Sequence, residues 1–278
     1  MTVINTNTAA TLTANALAKN ERAMATSMER LSTGLRINSA GDDAAGLAIS
    51  SRMTSQINGL NQAVRNANDA ISMVQTADGA LIEVTNMLQR MRELAVQGAS
   101  GTNTGTNDMA AINTEYEALR DEVFQIVDDT QWNGATLLDG NVAAAGDQTV
   151  DFHVGANASQ TVTIDFGDFE TGSFGTFTAA HDIDAAGEAN TAIGIIDTAL
   201  TTVNSKRADF GAAINRLEYT ADNLANVSQN TSASRSRILD ADYASETTEL
   251  ARTQIIQQAG TAMLSQANQQ AQSVLALL

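Results

Sequence analysis

The fold can be predicted from residues 51–100, which are SRMTSQINGLNQAVRNANDAISMVQTADGALIEVTNMLQRMRELAVQGAS. From Met53 to Ala95 the apolar residues recur at alternating steps of four and three, with one slip of a single residue, and this is the heptad pattern of a coiled coil. The pattern predicts one helix from about Asp43 to Gln97. At 1.5 Å per residue that helix is roughly 80 Å long, far longer than the helices of most globular domains.

Two more helical segments follow downstream. A shorter helix is predicted from about Asp108 to Asp129, with Asn107 or Asp108 as its N-terminal cap. A long apolar stripe then runs from Ile193 to Leu224. Stripes from both halves of the chain close one bundle only if the chain folds back on itself. We therefore expect a mainly α fold, a long antiparallel helical bundle or coiled coil formed by the N- and C-terminal halves.

Both ends of the chain carry weaker apolar stripes. Each stripe is narrow and rich in alanine, so neither end helix is expected to be stable alone in water. We expect the ends to be poorly ordered in a free monomer and helical when they pair with neighbours, with polymerisation and core packing through Leu17, Met24, Met28, Leu31, Leu35, Leu264, Ala267, Ala271, Val274 and Leu278.

The apolar period changes to two in the middle of the chain. Apolar residues alternate with polar ones from Val150 to Val154, and again from Val162 to Phe166, with a polar turn between them. This pattern predicts a small β-hairpin with one apolar face. The stretch 167–187 is rich in Gly, Asp, Ala and Thr and is interpreted as a short surface crossover.

Composition supports helices and excludes several classes of protein. The chain has 278 residues, of which 43% are hydrophobic but only 4% aromatic, and it has no proline and no cysteine. Aliphatic residues without proline favour long uninterrupted helices over a β-sandwich. Without cysteine there is no disulfide framework, no thiolate metal site and no cysteine nucleophile.

Charge is concentrated in the middle of the chain. The net charge is −17, and residues 101–190 carry 16 acidic side chains against one basic one. This third is expected to face water, whereas the near-neutral ends are free to pack against copies of themselves. Dispersed basic residues argue against a nucleic-acid partner, and no stretch is apolar enough for a membrane span. The start of the chain lacks the pattern of a cleavable secretory signal.

Three groups of residues could suggest catalysis or metal binding, and each has a simpler interpretation. His153 and His181 fall on a polar strand face and in a loop, where surface positions are favoured over a metal site. Asp42 and Asp43 precede the long helix, where capping is favoured over acid–base catalysis. Asp240 and its neighbour Asp242 have the Asp-x-Asp spacing of some metal sites, but no phosphate-binding glycine loop accompanies them, so a metal site is disfavoured. We therefore predict no enzyme, no metal and no cofactor.

Two terminal segments closely resemble bacterial flagellin. They are VINTNTAATLTANALAKNERAMATSMERLSTGLRINSAGDDAAGLAIS near the start and SRILDADYASETTELARTQIIQQAGTAMLSQANQQAQSVLALL at the end. The resemblance continues through residues 51–100, TQWNGATLLDG and VGANASQTVTIDF. The sequence differs from many family members in one place: Ala271 lies in a region where those members often have a proline.

The resemblance implies a fold and a function. An inner coiled-coil domain is expected from residues 1–42 and 236–278, and an outer helical domain from 43–140 and 188–235, with the hairpin and crossover in 141–187. The expected function is that of a structural subunit that polymerises into the bacterial flagellar filament used for swimming, exported unfolded and assembled at the tip. A hook–filament junction protein is the alternative, since it resembles flagellin at both ends.

The resemblance also implies partners. These are other copies of the chain in a helical homopolymer, a flagellar export chaperone, and the hook-associated junction and cap proteins, all for a protein that is secreted and extracellular. The innate immune receptor Toll-like receptor 5 is a further candidate partner. The flagellin motif that this receptor binds is matched by LQRMRELA, and the expected receptor-binding residues are Leu88, Gln89, Arg90, Leu94 and Glu115.

Overall fold

The computed structural model describes residues 6–102, 105–142, 146–170, 183 and 185–275. About 75% of these described residues are helical. The described part contains five helices and two pairs of short antiparallel strands, which confirms the mainly α fold with a small hairpin. The helices are α1 (Thr8–Thr33), α2 (Ala44–Gly98), α3 (Thr106–Asp129), α4 (Ala186–Leu239) and α5 (Tyr243–Leu275), and the strands are β1 (Gln131–Trp132), β2 (Ala135–Thr136), β3 (Thr149–His153) and β4 (Thr161–Asp165).

The chain divides into two compact units. Unit 1 is Met1–Ile57 together with Gln229–Leu278, and unit 2 is Asn58–Ser228. Unit 1 therefore combines the two ends of the chain, and unit 2 contains the middle. The inner and outer domains expected from the resemblance, with boundaries at residues 42/43 and 235/236, stay a prediction.

The long heptad helix is confirmed, and its stripe is the core of unit 2. Apolar residues of α2, α3 and α4 form one cluster, with Leu81, Leu88, Val203 and Phe210 fully buried. Three side-chain contacts between α2 and α4 show that these helices run antiparallel. They are Asn61 with Ser228, Asp78 with Arg207, and Arg92 with Asp197.

The hairpin prediction is also confirmed. β3 and β4 pair antiparallel with Val150 opposite Ile164 and Phe152 opposite Val162, so the apolar side chains share one face. Ile164 is buried against the helical core. The following residue of the stripe, Phe166, lies with its ring centroid 5.6 Å from that of Phe210 on α4. This ring contact anchors the hairpin to the bundle.

A second, smaller hairpin was not predicted. β1 and β2 pair through a turn at Asn133 and Gly134, whose φ angles are 50° and 84°. A two-residue turn with both central φ angles positive is the type I′ turn that Asn-Gly favours. The dipeptide is visible in the sequence, but strands of two residues are too short to show an alternating pattern.

The predicted N-terminal cap of α3 is wrong. The helix begins at Thr106, so the capping position is Gly105, which has extended backbone and makes no side-chain cap hydrogen bond. Asp108 instead lies in the first turn, where a carboxylate is favoured by the helix dipole. The capping role expected of Asp43 is confirmed, because its Oδ1 accepts a hydrogen bond of 2.8 Å from the backbone N–H of Gly46.

Candidate assembly surface

The pair formed by α1 and α5 brings the two ends of the chain together. The pair is antiparallel: Asn7 Nδ2 donates to the carbonyl oxygen of Ala267, and Asn20 Nδ2 donates to that of Thr253 at 2.7 Å. Nearer the other end of the pair, Arg30 Nη1 lies 3.0 Å from a carboxylate oxygen of Glu246. Contacts therefore join the two helices from the start of α1, at Asn7, to the first turn of α5, at Glu246.

The buried positions of this pair are polar rather than apolar. Asn20, Ser27 and Thr253 are the buried residues that the structure describes on α1 and α5. Small polar side chains allow two helices to approach closely, but they bury little apolar surface. The pair is consequently specified by hydrogen bonds and gains little from a hydrophobic core of its own.

The apolar residues of the same helices lie beside or outside this seam. Of the positions expected in assembly, Met28 is exposed, whereas Leu17, Met24, Leu31, Leu35, Leu264 and Ala267 are half-buried. The side chains of Ala271 and Val274 and the whole of Leu278 lie outside the described residues. Further large apolar side chains are exposed on the two helices and at the start of α5, namely Leu12, Tyr243, Ile255, Ile256 and Met263.

A reciprocal set of hydrogen bonds closes the base of the pair. Gly34 ends α1 with a left-handed φ of 73°, and its carbonyl accepts a hydrogen bond from the N–H of Ala241. The hydroxyl of Tyr243 donates to the carbonyl oxygen of Leu31 at 2.6 Å, and the guanidinium of Arg36 donates to that of Ile238 at 2.6 Å. Each half of the chain therefore caps the helix C-terminus of the other.

This base and the polar seam were not predicted from the sequence. Side chains that cap a carbonyl of a helix about 200 residues away leave no periodic signal in the sequence. The Asn-x₆-Ser spacing of Asn20 and Ser27 is a heptad spacing, and it is the one signal that could have indicated the seam.

Charge separates the two units completely. Unit 1 contains eight basic and eight acidic residues, whereas unit 2 carries seven basic and 24 acidic ones. The whole net charge of −17 therefore belongs to unit 2. A neutral unit with exposed apolar side chains can associate with copies of itself without strong electrostatic repulsion.

The second candidate site lies on α2 and α3 in unit 2. Arg90 donates from Nε and Nη2 to Glu115 Oε1 at 3.0 and 2.8 Å, and from Nη1 to Glu93. These hydrogen bonds, first to Glu115 and then to Glu93, raise the pKa of Arg90, which therefore keeps its charge. Gln89, Arg90 and Glu115 are exposed. A guanidinium held in this way presents a fixed, planar group on the surface of the bundle.

The two leucines of the same predicted receptor site are placed differently. Leu88 and Leu94 are buried in the core of unit 2, with 0% and 2% of their surface exposed. They position the helix on which Arg90 and Gln89 stand. The structure thus brings Arg90 and Glu115 together and leaves the leucines without an accessible surface.

The carboxylates with a catalytic or metal-binding interpretation take part in local hydrogen bonds. Asp42 Oδ2 accepts hydrogen bonds from the backbone N–H groups of Asn38 and Ser39, and these bonds lower the pKa of Asp42. Asp242 accepts from the N–H of Ala244 at the start of α5. His153 is exposed, and His181 lies outside the described residues. Within the described ranges, no three acidic or histidine side chains are grouped as metal ligands, and none of the helices is long and apolar enough to cross a bilayer.

Comparison with known proteins identifies the family. A family model for the bacterial flagellin N-terminal helical region matches residues 4–143, and one for the bacterial flagellin C-terminal helical region matches residues 193–278. The chain belongs to the bacterial flagellin family. The two matches of this flagellin leave out only a short middle segment, so it has no large inserted middle domain.

Individual flagellins agree with this assignment. The chain is 51% identical to a flagellin of Halalkalibacterium halodurans over 251 residues, covering 90% of both chains. It is 43% identical to a flagellin of Bacillus subtilis, covering 99% of both. The solved structure of Bacillus cereus flagellin superimposes with a TM-score of 0.51 and 35% identity, over 58% of this chain and 88% of that one. This flagellin is therefore a structural protein, a component of a flagellar filament.

Proposed function

We propose that the chain polymerises into the bacterial flagellar filament through its paired ends, with the acidic unit 2 facing water, and that this filament serves swimming motility. The exposed apolar residues of the end helices support this proposal most directly. The end helices bury small polar residues against each other and leave large apolar residues such as Ile255 and Met263 exposed, on a unit without net charge. Exposed apolar patches on a neutral surface mark sites of association.

A second copy of this chain is the partner that fits this surface. In a helical polymer one patch of each subunit packs against a different patch of the next, so the contact repeats without closing. In such a polymer the neutral unit 1 would supply the contacts between subunits. Junction and cap proteins of the flagellum, which must meet the same ends at the last subunits, are proposed as further partners.

The experiment that tests this function is seeded elongation. Purified protein is mixed with short fragments of a bacterial flagellar filament, and the fragment length is measured by electron microscopy. We expect the fragments to grow. Ile255→Gln, which removes an exposed apolar side chain of α5, should raise the critical concentration at least tenfold, and Ile82→Gln, at an exposed position in unit 2, should change it less than threefold.

Failure of the unmodified protein to elongate the fragments would contradict the proposal. The same experiment discriminates the hook–filament junction alternative, because a junction protein would bind fragment ends without continued growth. The curated relatives described above are named flagellins, which favours the filament subunit.

We further propose that the chain reaches the flagellum by export in an unfolded state, without cleavage, with a chaperone holding its C-terminal helix beforehand. The absence of proline and cysteine supports this route, because slow proline isomerisation and disulfide formation would both delay refolding after export. Deleting the export apparatus in the producing bacterium should leave the chain inside the cell at its full length, and a shortened extracellular form would contradict export without cleavage.

Recognition by Toll-like receptor 5 is proposed for the surface around Arg90. Its support is that Arg90 and Glu115, expected from the motif, are exposed and hydrogen-bonded to each other. Arginine is enriched among the residues that dominate binding at protein interfaces. Leu88 and Leu94 would act here by positioning α2 rather than by touching the receptor.

A further inference from the structure

The turn of the β3–β4 hairpin, residues 154–160, packs against both long helices of unit 2. Ala156 in this turn contacts a small apolar cluster, whose buried members in the described chain are Leu60 and Ala63 of α2 and Leu224 of α4. A Cβ atom on Gly59 would lie 3.3 Å from the Cβ atom of Ala156, so the turn rests directly on α2. The hairpin turn is therefore packed where α2 and α4 meet.

Two hydrogen bonds lie beside this small cluster. Asn66 Nδ2 on α2 donates to the carbonyl oxygen of His153, at the end of β3, at 2.9 Å. The hydroxyl of Ser228 on α4 donates to Asn61 Oδ1 on α2, also at 2.9 Å. The first bond fastens the hairpin to α2, and the second joins the two helices at the same end of unit 2.

The small cluster is separate from the main core of unit 2. The main core is formed by residues between Ala67 and Leu217, and its large buried side chains come from α2, α3 and α4, for example Leu88, Tyr116 and Phe210. The small cluster has two leucines and one alanine, so it removes much less apolar surface from water. A region with few buried apolar contacts opens at a lower free energy than the rest of its unit.

The third helix of unit 2 ends before it reaches the small cluster. α3 begins beside the end of α2, where a Cβ atom on Gly98 would lie 3.5 Å from Cε of Met109. Further along, Glu115 accepts hydrogen bonds from Arg90. The two helices are therefore antiparallel, and α3 ends at Asp129, level with about residue 76 of α2. Beyond that level the hairpin takes the position of a third helix.

We propose that the hairpin turn is a strap whose release is the first step in the unfolding of unit 2. In this step the contacts of Ala156 and the hydrogen bond of Asn66 are lost, and α2 and α4 separate around Leu60 and Leu224. The main core stays closed, and the end of unit 2 at Gly98 opens last. A chain exported in an unfolded state needs a place where unfolding begins, and this use of the strap rests on the proposed export.

A reversible disulfide tests the order of opening. The chain has no cysteine, so Gly59→Cys/Ala156→Cys adds a single possible pair, with a Cβ separation close to the usual range of about 3.5 to 4.5 Å. A cross-link between parts that separate before the unfolding transition state slows unfolding, whereas one between parts that stay together there does not. We expect the oxidised protein to unfold in guanidinium chloride at least ten times more slowly than the same protein after reduction.

The matched control is Gly98→Cys/Ala189→Cys. This pair joins α2 to α4 at the opposite end of unit 2, and a Cβ atom on Gly98 would lie 3.5 Å from that of Ala189. Unfolding transition states keep most of the native burial, so this end stays closed in a transition state reached from the strap. Oxidation of the control pair should therefore change the unfolding rate less than threefold. Circular dichroism of all four samples shows that each is folded at the start.

Local opening is measured by native-state hydrogen exchange. Asn66→Ala removes the hydrogen bond to the hairpin, and Asn68→Ala is the control, because the Asn68 side chain bonds a carbonyl of its own helix. We expect Asn66→Ala to speed exchange at residues 58–66 at least tenfold and at residues 81–95 less than threefold. Asn68→Ala should change neither region by more than threefold.

Several results would overturn the strap. Failure of the cysteines at 59 and 156 to form a disulfide in the folded protein would show that the turn does not rest on α2. Unfolding that is unchanged by this disulfide, or slowed equally by the control pair, would show that opening begins elsewhere, as would exchange that rises equally in both regions. These measurements use the purified full chain, so a failure of export in the producing bacterium would refute the proposed route and leave the strap standing.

Discussion

Arg30 on α1 and Glu246 on α5 form an ion pair, with 3.0 Å between Nη1 and Oε1, across 216 positions of sequence. Their side chains are 29% and 14% exposed, so the pair is largely removed from water. Among the ion pairs described within unit 1, this one joins α1 to α5, and the other, between Arg252 and Glu249, lies within a single helix.

Reversing one charge of this pair should weaken the pairing of the ends. An ion pair of intermediate burial loses roughly 2 kcal/mol when one partner is removed, between the values for exposed and for fully buried pairs. We expect Arg30→Glu or Glu246→Arg to raise the critical concentration of seeded elongation at least tenfold, and the double exchange to recover most of the loss. Arg252→Glu, at an exposed pair within α5, serves as the control. A double exchange as damaging as either single change would show that the two residues do not act as a pair.

Removing Val274 to Leu278 should prevent assembly without unfolding unit 2. The five residues include two positions of the terminal stripe, Val274 and Leu278, and burying each is worth roughly 1.5 to 3 kcal/mol when neighbours cover it. The truncated protein should keep the thermal unfolding transition of unit 2, because the core cluster described in that unit is formed by residues between Ala67 and Leu217. Polymerisation at an unchanged critical concentration would disprove the packing role of this end.

The ends should be less ordered in a free subunit than in the filament. The α1–α5 pair buries polar residues and little apolar surface, which does not offset the conformational entropy lost when the helices form. We expect hydrogen exchange to find residues 1–40 and 240–278 unprotected in the monomer and protected after assembly, with a matching rise in helical circular dichroism. Protection of both ends in the monomer equal to that of Met53 to Ala95 would refute this expectation.

Receptor-dependent signalling by the monomer should require Arg90. Its planar five-donor group cannot be reproduced by alanine, and loss of an arginine that anchors an interface weakens binding by about 2 kcal/mol or more. We expect Arg90→Ala to lower the potency toward Toll-like receptor 5 at least tenfold. Arg216→Ala, an exposed arginine on α4, is the matched control and should leave the potency unchanged. Equal potency of both variants and the wild type would exclude Arg90 as an anchor.

The turn before α2 should open only in strong acid. The backbone N–H groups of Ser39 and Asn38, which donate to Asp42, lower its pKa below the ordinary value of 3.8. A lowered pKa in the folded state means that the stabilisation is fully present above the ordinary value and is lost as the pH falls through the lowered one. The amide signal of Ser39, followed by nuclear magnetic resonance, should therefore titrate below pH 3.8, and this titration should be absent in Asp42→Ala.

Strong periodicity made most of the fold predictable. The α2 stripe is long enough that its buried face, from Ile57 to Ala95, follows from heptad spacing alone. The hairpin register follows in the same way, because Val150 and Ile164 must share the face that is buried. The start of α3 could not be fixed, since neighbouring polar residues compete for the capping position and only the backbone of Gly105 decides between them.

The sites were less predictable than the fold. The motif around Arg90 located the exposed guanidinium and its partner Glu115, but it did not reveal that Leu88 is buried in the core of unit 2. On the end helices the apolar stripe indicated which segments pair. It did not indicate that Met28 would face outward, because a narrow stripe on an alanine-rich helix fixes the contacting face only to within about one residue.

The helices, the hairpin, the meeting of the two ends and the separation of charge could all be predicted, because each depends on local periodicity or composition. The contact of Asn20 with Thr253, the capping of α1 by Tyr243 and the capping of α4 by Arg36 could not, and they emerge only from the folded structure. These contacts join residues about 200 positions apart through single hydrogen bonds to backbone carbonyls. Every residue offers such a carbonyl, so its use becomes specific only when packing brings one donor within reach.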